Sequence, residues 1–462
     1  MRPDTTLNFQ THARHCPALF LTAPASGQGK TSLVAGLARY HQRTGKRVRV
    51  FKTGPDFLDP MILRIASGHE VDPLDLWMVG AAECQRKLHA AAQDADLILI
   101  EGAMGLFDGT PSGADLAEKF GIPVVALIDA SGMGQTFGAL ALGLANYRPT
   151  LNIAGIVANR IASARHESMI REGMPDSLPY LGALPRLRDA VLPSRHLGLV
   201  QAAEIADLNV RLDRIADQIA HTALAELPPP TCFLAPPAAP PLPPLLAGQR
   251  ISVAQDAAFS FIYADNLRLL QSLGAELSVF SPLVDHAVSA DAIYLPGGYP
   301  ELHLDALAAN TAMQQSLRNH VQAQRPLYAE CGGMLYLLVQ LTDQSGASAR
   351  LVGLLPGTGR LQARLAGLGM QSLDTPCGCL RGHSFHHSTM DTPLIPCCVS
   401  RRQRDDKPGE PVYQQGTLRA SYLHLYFPSA PEAAARLFLG EPIATSAALS
   451  GDASRPLHPE LD

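Results

Sequence analysis

Over its first half the chain alternates short, continuous apolar runs with amphipathic or alanine-rich stretches. The runs are ALFLTA, RVRVFKTG, ADLILIEG, PVVALIDA and IAGIVANR. Apolar residues at nearly every position, rather than every second one, predict strands covered on both faces, as in parallel sheets. Their alternation with helical patterns predicts a doubly wound α/β sheet. RISVAQD, ELSVFSP, AIYLPGG and PLYAECGG repeat the pattern in the second half, so a second α/β domain is expected. Between the halves the periodicity fails. Leu227–Gln249, LPPPTCFLAPPAAPPLPPLLAGQ, is dense in proline and reads as a semi-rigid spacer. The expected layout is a first domain over 15–226, a linker over 227–249, a second domain over 250–435 and a tail over 436–462, with a short helix beginning near Pro431.

A length of 462 residues suits two to four domains. The net charge of -5 offers no basic footprint for nucleic acid. No charge-free apolar run is long enough to span a membrane. The first twenty residues hold no apolar core of signal-peptide length, so a cytoplasmic location is expected. There the eight cysteines would stay reduced. The CGC at Cys377–Cys379 and the Cys397–Cys398 pair do not match the spacing of structural zinc sites and are assigned no role.

Candidate chemistry begins at TAPASGQGKTSLVAGL, Thr22–Leu37. It reads as strand, glycine loop and helix, the layout of a phosphate-binding loop, but Pro24 stands where the first glycine of the usual pattern belongs. Gly27 and Gly29 can still supply the curvature. Lys30 suits the β/γ phosphates and the Thr31 hydroxyl suits Mg²⁺. Taken alone, the stretch could be an ordinary glycine turn opening a helix. Two companions weigh against that: KTGPDFLDP after the second strand, with Lys52, Asp56 and Asp59, and EGAMGLFDG, with Glu101 at the end of its strand. Ligands in open α/β sheets bind beyond the carboxyl ends of strands, so all three stretches are expected at one edge. A carboxylate there holds the metal or its waters, and Lys52 suits a transferring phosphoryl group. Asn159, at another strand end, is either an adenine-reading amide or a turn former.

In the second half LYAECGGML places Cys331 at a sharp strand-to-helix turn, with small neighbours that would expose its sulfur. A thiol at a helix N-terminus is expected to ionise more easily. Gly297 and Gly298 of LPGGYPE could line an oxyanion hole. Among sixteen histidines, His424 in ASYLHLYFPS suits the base. The cluster His383, His386 and His387 is more polar and could face substrate or the other domain. A buried structural cysteine and a core histidine are the plainer readings of Cys331 and His424.

Together SGQGKTS, KTGPDFLDP, EGAMGLFDG, LPGGYPE, AECGGM, RGHSFHHS and ASYLHLYF resemble the cobyrinic acid a,c-diamide synthase family over about residues 17–430. That family joins a dethiobiotin-synthetase-like ATP domain, whose phosphate loop also lacks the first glycine, to a class I glutamine amidotransferase domain. The resemblance implies a magnesium- and ATP-dependent, glutamine-hydrolysing carbon–nitrogen ligase of cobalamin biosynthesis. Its partners would be ATP, L-glutamine and a cobyrinic acid-type corrinoid, amidated at the a and c acetates; a homodimer is compatible with it. By the same resemblance Cys331 would be the nucleophile and His424 its base, with Gly297 and Gly298 at the oxyanion. Gly27, Gly29, Lys30, Thr31, Lys52 and Asn159 would bind ATP, Thr31 and Glu101 the metal, and Asp56 and Asp59 would assist activation. Tyr426 stands where class I amidotransferases usually carry a glutamate two residues after the histidine, which this family commonly lacks, so either another residue orients His424 or a dyad suffices. Ser384 replaces the acid of the family's GHEFH motif. Hydrogenobyrinic acid and nickel sirohydrochlorin stand as alternative substrates and cobyric acid synthase as a sibling. A ParA-like partitioning ATPase and a peptidoglycan-precursor amidating enzyme are more remote.

Overall fold

Most of the continuous apolar runs become strands buried on both sides; ELSVFSP does not, because its strand, Glu276–Phe280, lies at a sheet edge and leaves Val279 61% exposed. In the computed structural model, which describes residues 13–187, 189, 192, 201–236 and 240–441, the chain divides into two units, Met1–Pro240 and Pro241–Asp462. The first unit holds β1 (Arg14–Thr22), β2 (Val48–Thr53), β3 (Asp72–Leu74), β4 (Leu97–Glu101), β5 (Val124–Asp129), β6 (Ile153–Ile161), β7 (Tyr180–Pro185) and β8 (Pro230–Phe233). Seven of these form one sheet in the order β3-β2-β4-β1-β5-β6-β7, parallel throughout. Side chains that alternate along a strand enter different cores. Val125 and Leu127 join one hydrophobic cluster, whereas Ala126 and Ile128 join another. This is the doubly wound arrangement.

One segment departs from the expected spacer. Pro230–Phe233 pairs antiparallel with Arg14–Pro17 of β1. Its prolines do not prevent this because Pro230 opens the strand, a position where proline is tolerated, while Thr231 and Phe233 turn inward.

The second unit begins with β9 (Arg250–Ala254), β10 (Glu276–Phe280), β11 (Ala292–Leu295) and β12 (Leu327–Glu330). These are the four strands the apolar runs predict, and they are parallel. The chain then builds β13 (Leu338–Thr342), β14 (Ser348–Arg350), β15 (Leu355–Leu361), β16 (Gly367–Thr375), β17 (Gly378–His386), β18 (Ser388–Asp391), β19 (Cys398–Arg402), β20 (Pro408–Gln415), β21 (Leu418–Ser421) and β22 (His424–Tyr426). β21 extends the parallel group beside β12. From there the sheet continues through β20, β19, β16, β17 and β22 in antiparallel pairing. β13, β14, β15 and β18 form a separate sheet. The helix at Pro431–Leu439 takes in the first residues of the expected tail, and 442–462 lie outside the described residues. No helix among the described residues is long and apolar enough to cross a membrane.

Candidate active sites

In the first unit, strand register gathers the charged candidates. Lys52 on β2 lies opposite Glu101 on β4, and Glu101 is opposite Leu21 on β1, at whose end the loop begins. The loop glycines take left-handed backbone, φ 77° at Gly27 and 98° at Gly29, a region that penalises a Cβ. Gly29 also leaves no room for one, because it would sit 2.5 Å from Asn159 Nδ2. Helix α1 (Lys30–Arg43) follows directly. Pro24 at the missing-glycine position is matched by a glycine elsewhere: a Cβ on Gly105 would meet the Pro24 carbonyl oxygen at 2.5 Å. Leu106 N–H donates to Ala23 O at 3.0 Å. The EGAMGLFDG segment thus packs on the loop.

Lys30 Nζ donates to the carbonyls of Ala25 (3.0 Å) and Met104 (2.6 Å), spanning the loop. Thr31 Oγ1 donates to Glu101 Oε1 at 2.7 Å. Lys52 is buried, with Nζ 3.1 Å from Glu101 Oε1, 3.0 Å from Asp59 Oδ2 and 3.7 Å from Asp56 Oδ2. Burial by itself would lower its pKa, but the three carboxylates outweigh that and hold it above the ordinary lysine range. Burial raises Glu101, opposed by Lys52. Burial and the neighbouring Asp59 push Asp56 up as well, while Lys52 overcomes burial at Asp59 and keeps it low. Asp56 also shapes the backbone, since its Oδ1 accepts from the N–H groups of Leu58 (2.9 Å) and Asp59 (3.2 Å) at the start of α2 (Leu58–Ser67). The Asx-turn and charge-site readings therefore both describe it. Asn159 is committed to the loop, with Nδ2 donating to Gln28 O at 2.7 Å. Gln28 Oε1 in turn accepts from Asp129 N–H at 2.8 Å, and Arg160 reaches Gly27 O at 3.0 Å. Sequence reasoning missed these last three contacts.

In the second unit Cys331 closes β12 and caps a short helix, Gly332–Tyr336, with φ 44° and ψ -107°. A cysteine at positive φ is a strained elbow. Its N–H donates to Ser421 O at 2.8 Å, which ties the turn to β21. The flanking glycines are obligatory for close approach. A Cβ on Gly332 would meet Gly298 O at 2.7 Å, and one on Gly333 would meet Leu295 O at 2.2 Å. Gly297 lies against His424, since its Cβ would fall 2.2 Å from Cε1. The glycine pair is thus wedged between elbow and imidazole.

Two expectations are corrected. The sulfur is not displayed to solvent: Cys331 is 6% exposed and belongs to the unit's main apolar cluster. Nor is the thiol acidified. Burial, with Glu301 beside it, pushes it well above the ordinary cysteine range, and the five-residue helix is too short to offset that. A base must therefore take the proton. His424 is buried, and burial, then His383 and His386, drive its pKa down, so it is neutral and able to accept.

Of the polar histidine cluster His383 is buried against the candidate base, while His386 and His387 are partly exposed. His383 stacks on His424 with centroids 5.0 Å apart, is lowered to about 3 by burial, and bonds Tyr263 at 3.1 Å. His386 pairs with Glu410 at 3.0 Å and stacks on Tyr422. Ser384 accepts from Gln371 Nε2 at 2.7 Å, and Tyr426 donates to Asp265 at 2.9 Å. Sequence reasoning also passed over Glu330, buried beside His424. An acid at the end of the otherwise apolar run PLYA was the available signal.

A lysine-bearing phosphate loop on a parallel sheet and a cysteine elbow with a neutral histidine define a class: a glutamine amidotransferase fused to a nucleotide-dependent ligase. Residues 19–200 match the CobQ/CobB/MinD/ParA nucleotide binding domain and 250–432 the CobB/CobQ-like glutamine amidotransferase domain. A protein of Stutzerimonas stutzeri, hydrogenobyrinate a,c-diamide synthase, is 58% identical over 92% of this chain and 99% of its own. The Pseudomonas aeruginosa protein of that name is 56% identical over 92% and 98%. Cobyrinate a,c-diamide synthase of Herminiimonas arsenicoxydans is 50% identical over 92% and 97%. The chain belongs to the hydrogenobyrinate/cobyrinate a,c-diamide synthase family, enzymes of glutamine- and ATP-dependent amidation.

Proposed function

We propose that the protein amidates the a and c acetate side chains of a cobyrinic acid-type corrinoid, using ATP in the first unit and ammonia from glutamine hydrolysed in the second. The observation that carries this reading is the pairing of a charge-dense phosphate loop with an elbow cysteine whose neighbouring base is neutral. In the second unit Cys331 Sγ attacks the glutamine side-chain carbonyl while His424 takes the thiol proton. N–H groups of the Gly297–Gly298 stretch face the developing oxyanion. His424 then protonates the leaving ammonia, and water hydrolyses the thioester to glutamate. In the first unit a substrate carboxylate oxygen attacks the γ-phosphorus of ATP and ADP leaves. Ammonia then attacks the acyl carbon, phosphate departs, and the surplus ammonia proton is released. Lys30 leaves its carbonyl partners for the phosphates, and the loop backbone between Gly27 and Thr31 cradles them. Lys52 holds positive charge behind the transferring group, with Asp56 and Asp59 setting its position.

The residues present fit Mg²⁺. Glu101 Oε2 is buried with no hydrogen-bond partner, and Thr31 Oγ1 lies beside Oε1. Mg²⁺ keeps several waters and leans on substrate phosphates, so few protein ligands suffice. Thr31 and Glu101 would hold it, and it would neutralise phosphate charge. Asn159 acts here by fixing Gln28 at the nucleotide loop. The family and the absence of a basic footprint support a cytoplasmic enzyme without nucleic-acid partners.

A metal-free ring is the second reading, favoured by the name that the 58% and 56% relatives share. Incubation with ATP, glutamine and either hydrogenobyrinic or cobyrinic acid tests both readings by product mass. Two successive acid-to-amide changes are expected. No change with either ring would refute the assignment.

A further inference from the structure

A base buried as deeply as His424 needs a counter-charge when it takes a proton. Glu330 is placed to supply one. It is buried at the end of β12, one residue before the nucleophile. Tyr328 and Glu330 alternate with Ala329 and Cys331, so the carboxylate points away from the cysteine's face of the strand. Three donors fix it. Tyr328 OH (2.9 Å) and Leu425 N–H (3.0 Å) donate to Oε1, and Tyr294 OH (2.7 Å) donates to Oε2. The Leu425 bond anchors the backbone next to His424, and Oε2 lies 4.0 Å from His424 Nδ1. That is an ion-pair distance, longer than a hydrogen bond. His383 stacked on the ring and Gly297 against its Cε1 edge confine the imidazole.

We infer that Glu330 is the positioning residue of the glutaminase, holding His424 Nδ1 protonated and aimed so that Nε2 accepts the Cys331 proton. It would take the part that a glutamate two residues after the histidine cannot play here, because that place is Tyr426. The inference rests on the assignment of Cys331 and His424 above. The groups facing Glu330 are Tyr294 from β11, Tyr328 from its own strand and His424 from β22. His424 is further faced by His383 from β17, with His386 nearby, and Cys331 by Glu301, Glu410 and Glu330 itself, each of which raises the thiol. Burial lifts Glu330 to about 7, against the pull of its three donors. The pair therefore works above that pH and loses its counter-charge below it.

Steady-state glutaminase kinetics across pH, with ammonia-driven amidation as the control, test this on the full chain. Glu330→Gln should lower glutaminase kcat by about 10²–10⁴-fold, with KM for glutamine within about threefold. The acid limb near pH 7 should vanish, and ammonia-driven amidation should stay within about twofold. Glutaminase within twofold of wild type, or equal loss of both activities with the acid limb unmoved, would overturn the inference. If Glu330→Gln does not fold, Tyr294→Phe decides. Loss of a donor to the carboxylate should move the acid limb to higher pH, and an unmoved limb counts against Glu330. Cys331→Ala run alongside separates the two layers: if it retains glutaminase, the nucleophile assignment fails first.

Discussion

Both sites lie at the carboxyl edge of a parallel sheet, yet they handle charge in opposite ways. The first unit buries Lys52 among Glu101, Asp59 and Asp56, so its charges are fixed in place and mutually compensated. The second unit buries Cys331, His424 and His383 in a region where burial drives thiol and imidazoles toward their neutral forms. Phosphoryl transfer needs standing charge around a polyanion. Thiol attack needs a proton that moves, and neutral partners allow it to be handed over and returned. The same sheet-edge architecture therefore suits the two proposed chemistries through the side chains its register brings together.

The contrast can be broken at the fixed-charge site first. Lys30→Ala should reduce amidation by about 10²-fold or more, whether nitrogen comes from glutamine or an ammonium salt, while glutamate release from glutamine persists. Rates with both nitrogen sources check it. Glu101→Gln should cost about 10-fold in either amidation assay, since it removes the charge that pairs with Lys52 and would hold the metal, while the amide oxygen can still accept from Thr31. It should also lower stability by about 1–3 kcal/mol. Asp59, 3.0 Å from Lys52, limits that loss. Urea unfolding measures it.

How far each site was legible follows from the same contrast. Lys30, Thr31, Lys52, Asp56, Asp59 and Glu101 could be placed together from sequence because charged residues at the ends of apolar runs stand out, and parallel topology collects strand ends. The elbow was legible from its glycines. The ionisation of Cys331 was not, because a helix N-terminus suggests acidity while only the packing shows that burial wins. The burial of His383 was not legible either, because the polar-looking RGHSFHHS segment holds a buried stretch, Gly382–Ser384, and His383 is paired with His424 on the neighbouring strand. The antiparallel strands β16–β20 have mixed polar and apolar positions and gave no continuous run to read. Pro230–Phe233 was hidden by its composition, although only its first residue is a proline.

Smaller effects sharpen the neutral site. Gly297→Ala would press a methyl into the His424 ring, 2.2 Å from Cε1. It should cost about 1–3 kcal/mol and about 10-fold in glutaminase rate, with ammonia-driven amidation retained; thermal melts and glutamate release report the two effects. The smallest is a stability difference with pH. Glu330 is raised from 4.5 to about 7 in the folded protein. The folded state thus holds a proton across that window which the unfolded chain has lost, and stability falls as pH rises through it. Glu330→Gln lacks this slope, so its Tm relative to wild type should rise between pH 5 and pH 7. A constant difference would argue against the buried, proton-holding carboxyl.

The most direct test of divided labour is the initial rate of corrinoid amidation by Cys331→Ala, measured with glutamine and then with an ammonium salt. The glutamine-driven rate is expected to fall by about 10³-fold or more while the ammonia-driven rate stays within about twofold of wild type. Sustained glutamine-driven amidation, or equal collapse of both rates in a folded protein, would contradict it.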